Sequence, residues 1–198
     1  MNYQLQCMCG SVRGLLSHAE NGIRGMCYCK DCRAYSCHLG IESRTHDSLG
    51  GADFVAALGN QISITEGAQN IACISLSPNG LLRWYAKCCN TPIAGTPRNW
   101  KLPYVGLVRA FMENEPGAYE STFGDVKIRA NTSSAKQPPP ALALKSFVSV
   151  ASLMSRVFAA TIRGSYKSTP FFHSGGEPVV LPTVLSKDER VRASADAE

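Results

Sequence analysis

Nine cysteines lie at positions 7, 9, 27, 29, 32, 37, 73, 88 and 89, and none follows Cys89 in the remaining half of the chain. Seven of them form three tight groups: Cys7-Met-Cys9-Gly10, Cys27-Tyr-Cys29-Lys-Asp-Cys32 and Cys88-Cys89. Whatever this chain folds into must bring those groups to useful places. The N-terminus MNYQLQCMCG has no apolar stretch of the kind an export signal needs, and an odd cysteine count leaves one thiol over. The expectation is a reducing, cytoplasmic setting, where clustered thiols bind metal or do redox chemistry more often than they pair.

Zinc suits such groups, because it takes four soft ligands in a tetrahedron. Neighbours two apart on an extended strand point to opposite faces, so each Cys-x-Cys chelates only where the chain bends. A bend through Lys30-Asp31 brings Cys32 to the same ion as Cys27 and Cys29. Three thiolates leave one tetrahedral position open, as in a reactive zinc site. Cys7 and Cys9 make half of a site, and the Cys88/Cys89 pair is its natural complement. The spacing therefore predicts two zinc ions, or one if the late pair fails to ligate. The closed site uses Cys7, Cys9 and the Cys88/Cys89 pair, and the open site uses Cys27, Cys29 and Cys32. Cys37 or His38 is a possible fourth ligand of the open site. Cys73 sits among apolar residues and is expected in the core. His18, His46 and His173 are expected in loops or at the surface.

The remaining composition narrows the class. At 198 residues, with 44% hydrophobic and 18% charged residues, the chain is long enough for a core without cross-links. Its net charge of +5 is spread out, with thirteen Lys/Arg against ten Asp/Glu up to residue 140 and seven against five after it. No basic run marks a nucleic-acid partner and no apolar run marks a membrane span.

Before residue 130 the pattern is one of short strands and turns. Ile71–Leu76 and Leu81–Tyr85 read as a hairpin around Ser77-Pro78-Asn79-Gly80. Gln61–Thr65 and Tyr104–Phe111 read as strands, and Ala52–Leu58 as a short helix stopped by Gly59. A polar, proline-rich linker or strap follows over 131–140. Lys145–Arg163 reads as a helix with Phe147, Val150, Met154, Val157 and Phe158 on its docking face and Gly164 as its end. The stretch from Leu185 reads as a frayed, charged tail. The expected organisation is a zinc-binding domain over 1–130, the linker, and a helical extension over 141–198.

Three blocks, Cys7-x-Cys9-Gly10-Ser-Val12, Cys27-x-Cys29-x-x-Cys32-Arg33 and Arg83-Trp-Tyr-x-x-x-Cys89-x-Thr91-Pro92-Ile93, resemble the GFA/CENP-V-type zinc family, which includes the glutathione-dependent formaldehyde-activating enzymes. The resemblance covers about residues 3–125. It implies a mainly β fold, a β-tent of small antiparallel sheets around zinc. It also implies a structural zinc on the first Cys-x-Cys with the late block, and a catalytic zinc on Cys27, Cys29 and Cys32. The implied activity is that of a carbon–sulfur lyase on a glutathione–formaldehyde type of adduct. Lys30 and Arg33 are the candidate contacts for glutathione carboxylates. In the family's last block Cys-x-x-Cys-Gly is usual, whereas Ala86 and Asn90 stand here at its first and last places, so either Cys88 or Cys89 serves. The expected partner is a small thiol or aldehyde, and a homo-oligomer is compatible with the sequence. The alternative class is a non-enzymatic zinc-stabilised binding module. A third is a thiol redox enzyme like the type B methionine sulfoxide reductases, for which only Cys73 stands apart as a reactive cysteine.

Overall fold

The computed structural model describes residues 1–112, 116–142 and 145–195. Its strands are β1 (Tyr3–Gln6), β2 (Arg13–Leu16), β3 (Ile23–Cys27), β4 (Ala52–Leu58), β5 (Ile62–Glu66), β6 (Ile71–Ser75), β7 (Leu82–Ala86), β8 (Thr91–Thr96), β9 (Tyr104–Val108), β10 (Ile128–Ala130) and β11 (Thr183–Val184). Its helices are α1 (Lys30–Leu39), α2 (Glu42–Thr45), α3 (Ala118–Phe123), α4 (Lys145–Ile162) and α5 (Lys187–Ala195). The fold is mixed α/β and strand-rich, with a C-terminal helix and no closed barrel. Instead of several small sheets, eight strands form one sheet in the order β10-β3-β4-β9-β8-β7-β6-β11, beside a three-stranded sheet β1-β2-β5.

The hairpin forms as expected. β6 pairs antiparallel with β7, and Trp84 lies opposite Cys73. Trp84 is fully buried and its indole N–H donates to Thr96 Oγ1 at 3.0 Å, so its one polar atom is satisfied inside the core. Phe171 and Phe172, beyond the strap, pack on that indole with ring centroids 5.2 and 6.1 Å away.

Residues 52–58 correct the reading as a helix. They are a central strand, bonded to β3 on one side and β9 on the other. Val55, Ala56 and Ala57 are all buried, so both faces of the strand are covered. A strand of that kind is a continuous run of small apolar residues, and its period does not separate it from a buried helix. The close pairing relies on Gly25, because a Cβ there would lie 2.5 Å from the Phe54 ring. Helix α1 was not foreseen either. Its buried Arg33, Ala34, Tyr35, Ser36 and Leu39 mix polar with apolar residues and blur the helical period.

Helix α4 spans the expected residues, and Gly164 follows its end at φ +71°. Its docking face is different. Leu153, Val157 and Ala160 pack on Ile23, Ala56 and Leu58 of the large sheet. Of the expected face only Val157 is fully buried, while Phe147 (71% exposed), Met154 (58%) and Phe158 (68%) face solvent. The helix has two apolar stripes. The one with small residues, Ser146 and Ala160, comes closer to the sheet, and the bulky one stays outside. The charged C-terminal segment is also corrected. It forms α5, with Leu185 and Ala193 buried against Ala34 and Leu76; residues 196–198 of the expected tail lie outside the described residues.

Both edges of the large sheet are made by late chain. β10 pairs parallel with β3 and β11 pairs parallel with β6, which covers edges that would otherwise be open. The polar run after β10 lies on the body of the protein, where the Arg33 guanidinium donates to the Ser134 carbonyl and the Lys136 N–H to the Leu49 carbonyl. No described helix is long and apolar enough to cross a membrane.

Candidate metal centres

The first centre is built from two tight turns. β1 ends at Gln6, and the chain bends through Cys7–Gly10. The Gly10 N–H donates to the Cys7 carbonyl at 2.9 Å, and Gly10 sits at φ +79°, where a side chain is disfavoured. That bend turns the second sulfur back toward the first. The Val12 N–H then donates to Cys7 Sγ at 3.2 Å, and the Met8 N–H bonds Thr91 Oγ1 at 2.9 Å, tying the turn to β8. The second turn joins β7 to β8. The Cys89 N–H donates to the Ala86 carbonyl at 3.2 Å, and Asn90 follows at φ +57° with its side-chain N–H on the Leu39 carbonyl. Asparagine is among the few residues other than glycine that tolerate this conformation.

Four sulfurs meet there. Cys7, Cys9, Cys88 and Cys89 all lie within 4.8 Å of one another. Cys7 to Cys9 is 3.6 Å, Cys9 to Cys88 is 3.4 Å, Cys7 to Cys88 is 3.9 Å and Cys88 to Cys89 is 3.8 Å. Zinc–sulfur bonds of about 2.3 Å in a tetrahedron put ligand sulfurs roughly 3.8 Å apart. The group therefore has the dimensions of a four-thiolate metal site. Both vicinal cysteines belong to it, and Ala86, which ends β7, is buried. Hydrogen bonds from Ser11 pull exposed Cys9 down to about 6, and burial raises Cys7.

The second centre sits where β3 passes into α1. Cys27 closes the strand, and Cys29 caps the helix, accepting the Cys32 N–H at 3.3 Å. Cys32 follows in the first helical turn, so the bend expected at Lys30-Asp31 is the start of a helix. The three sulfurs lie within 4.8 Å of one another, and Cys27 to Cys29 is 3.3 Å. Hydrogen bonds from Cys29 and Cys32 hold Cys27 far below its ordinary pKa, while those neighbours are raised. A metal ion takes the place of the protons such a group shares.

Among the described residues no fourth cysteine, histidine or carboxylate joins this group. Cys37 and His38 lie further along α1 and belong to neither cluster. Cys73 is in the core, and burial pushes its thiol up to about 12. His18 and His173 are exposed and also outside both clusters.

Two residues that sequence reasoning missed touch the three sulfurs. Arg83 of β7 is buried; its Nη1 lies 3.7 Å from Cys32 Sγ, and its guanidinium stacks 5.2 Å above the Tyr35 ring. Asn131, at φ +56° just beyond β10, donates its side-chain N–H to Cys27 Sγ at 3.4 Å. They lie 51 and 104 residues from their partners, and no local pattern reports such contacts. Of the expected contacts, Lys30 is exposed at the first residue of α1, and buried Arg33 turns Nη1 to the carbonyls of Tyr28 (2.9 Å) and Ser134 (3.1 Å).

Residues 2–181 match DUF6151, a family of unknown function. The chain belongs to that family. No curated protein matches it. Among solved structures, a Rhodobacter sphaeroides protein determined as a Northeast Structural Genomics target is similar at 20% identity, covering 66% of this chain and 100% of that one, with a TM-score of 0.41.

Proposed function

We propose that this DUF6151 protein is a zinc-dependent enzyme of the carbon–sulfur lyase type that makes or splits the adduct of a small thiol, such as glutathione, with an aldehyde. One observation carries the reading: three cysteine sulfurs converge with no fourth ligand among the described residues, while a buried arginine and an asparagine are aimed at them. The likeness of the cysteine blocks to GFA/CENP-V-type enzymes, with their β-tent around zinc, supports the same reading. In it Cys7, Cys9, Cys88 and Cys89 hold a structural ion, and Cys27, Cys29 and Cys32 hold the reactive one. A zinc ion held by Cys27, Cys29 and Cys32 would lower the pKa of a substrate thiol toward neutrality.

The chain's own residues do the rest. Three thiolates around a divalent ion leave a net charge of −1, which weakens its pull on a fourth ligand. The Arg83 guanidinium beside Cys32 offsets that charge from inside the protein, where it is poorly screened. Asn131 fixes the Cys27 sulfur and spreads its charge. The reaction needs no oxidant. As an adduct splits, its hydroxyl gives up a proton and becomes the carbonyl, and the sulfur leaves with the carbon–sulfur electron pair. Lys30 stands exposed beside the site and is the remaining candidate for a substrate carboxylate.

The test is Cys29→Ser, read by metal content and by turnover of glutathione with formaldehyde. The expected result is two zinc ions per chain falling to one, with activity lost. Full zinc and full activity in the variant would refute the proposal. A second reading, a zinc-stabilised binding module, has one observation in its favour: the outer face of α4 presents Phe147, Met154, Phe158 and Ile162 to solvent.

A further inference from the structure

Four glycines stand inside the described strands: Gly14, Gly25, Gly95 and Gly106. Glycine weakens a strand, so each calls for a reason. A Cβ on Gly14 would strike the Ser63 carbonyl, and one on Gly25 would enter the Phe54 ring, so close approach explains both. Gly95 and Gly106 lack that reason. They lie directly opposite each other in β8 and β9, and neither has a positive φ. A Cβ on Gly95 would have no described atom within 4 Å, and one on Gly106 would first meet the Tyr104 hydroxyl at 3.4 Å. The pair leaves empty space above two central strands.

That space lies on the side of the three-cysteine centre. Side chains alternate along a strand, and the register of the large sheet puts Cys27, Ala56, Gly106, Gly95 and Arg83 on one face. Helix α4 covers one end of this face, over Ile23, Ala56 and Leu58, and α1 covers the other, where Tyr35 and Leu39 pack on Ile74. The two glycines lie between these ends. Arg83 is directly opposite Gly95, and its guanidinium comes to 3.7 Å from Cys32 Sγ. The bare strip therefore borders the sulfurs.

The wall toward α4 carries one polar atom. The Tyr104 hydroxyl stands over Gly106 and makes no hydrogen bond with any described residue. Burial pushes its pKa up to about 12, and the charges of Cys27 and Cys32 add to that, which places it near the same sulfurs and keeps it a donor at neutral pH. The Phe54 ring, 3.7 Å from where a Gly106 Cβ would be, completes the wall. The strip is an apolar slot with sulfurs along one border and a single unpaired hydroxyl on the other. Sheltered polar groups are nearly always paired, so the hydroxyl calls for a ligand oxygen, and an apolar slot with few polar atoms is the usual seat of a small molecule.

We infer that this slot holds the aldehyde half of the adduct, with its carbon substituent over Gly95 and Gly106 and its oxygen on the Tyr104 hydroxyl. The inference rests on the lyase reading and narrows its substrate to a thiol adduct of an aldehyde that bears an apolar substituent. Formaldehyde carries only hydrogen on its carbon and leaves the slot empty. The covalent step is unchanged. As an adduct forms, the sulfur pair makes the carbon–sulfur bond and the carbonyl pair moves to oxygen, which accepts the Tyr104 hydrogen bond and takes its proton from water.

The experiment is calorimetric titration of the zinc-loaded full chain with ethanethiol and with phenylmethanethiol, which place a methyl group or a ring where the substituent would lie. The ring should bind about tenfold more tightly, from the apolar area it buries. Gly95→Val should erase that advantage with zinc content unchanged and Tm not lowered, since valine suits a strand and its Cβ meets nothing there. Turnover is read beside it, with glutathione and either formaldehyde or benzaldehyde. Gly95→Val should lower kcat/KM for benzaldehyde about tenfold more than for formaldehyde. Tyr104→Phe should lower kcat for both about tenfold, the loss of one hydrogen bond, and leave phenylmethanethiol binding as it was. Turnover of both aldehydes with a ring preference that Gly95→Val leaves intact would overturn the inference and leave the lyase reading standing. A ring preference that valine erases, without turnover of either aldehyde, would keep the slot as the seat of a thiol's substituent and remove the lyase reading. Equal binding of the two thiols, or none, would overturn the inference.

Discussion

The two cysteine centres differ in how their sulfurs are held. The four-cysteine group is made by two turns that face each other, and its partners are backbone N–H groups and the hydroxyls of Ser11 and Thr91. It ties the first strand of the small sheet to the β7–β8 corner of the large one, and it has no position to spare. The three-cysteine group is held on one side by a strand end and a helix start, and on the other by Arg83 and Asn131 from distant chain. A group that joins two sheets serves the fold. A group with no fourth ligand among the described residues and a cation set beside it is, on the proposed function, the one that does chemistry.

That contrast can be broken first by removing one ligand from each centre. Loss of a structural metal ligand belongs with the largest single-residue effects, above about 4 kcal/mol. Cys7→Ser should therefore lower Tm by about 10 °C, given a few degrees per kcal/mol in a chain of this size. Cys29→Ser should move Tm by less than half of that while abolishing turnover. Equal shifts in a calorimetric scan would remove the distinction.

A finer probe is the buried cation. Arg83→Met keeps much of the side-chain volume but leaves the charge beside Cys32 uncompensated. It should weaken zinc binding at the three-cysteine centre by about 10–100-fold, the usual effect of losing such an outer partner. A competing chelator should meanwhile strip the four-cysteine centre no faster than in the parent protein. Asn131 divides into two effects. Asn131→Gly keeps the left-handed backbone and loses the N–H on sulfur, whereas Asn131→Ala loses both. Glycine should cost about threefold in zinc affinity at that centre, and alanine should add about 1 kcal/mol of instability. Urea unfolding separates the two.

A last effect, confined to alkaline pH, concerns Cys73, the buried thiol in neither group. Burial raises its pKa from an ordinary thiol's 9.0 to about 12. A raised acid is stabilising while it stays protonated in both states, so its contribution is complete below pH 9 and is lost as pH climbs toward 12. Cys73→Ala should flatten the fall of stability between those values by one proton's worth, about 1.4 kcal/mol per pH unit at most.

How much of this was legible depended on where each partner sits in the chain. Spacings such as Cys7-x-Cys9 and Cys27-x-Cys29-x-x-Cys32 name a site because their members are neighbours. The choice between Cys88 and Cys89 was not legible, because it rests on the fold of the Ala86–Asn90 turn. The hairpin turn Ser77–Gly80 was readable from its own residues. The strand 52–58 was not, since alanine's helical preference yields to pairing on both sides. For α4 the period gave the helix but not its face, because two apolar stripes share one periodicity and only the sheet chooses between them. Arg83 and Asn131 had no local signature.

The parallel pairing of β10 with β3 also sets an order in time. A chain growing from its N-terminus possesses all four sulfurs of the first centre once residue 89 is made. The second centre has its three cysteines by residue 32, yet it lacks its amide donor until residue 131 arrives with the edge strand. Domains generally fold as they emerge, the earlier part first. The two centres would then mature in the reverse of the order in which their cysteines are completed, the clamp setting before the pocket is closed. Any truncation before residue 131 would stop at that half-built stage.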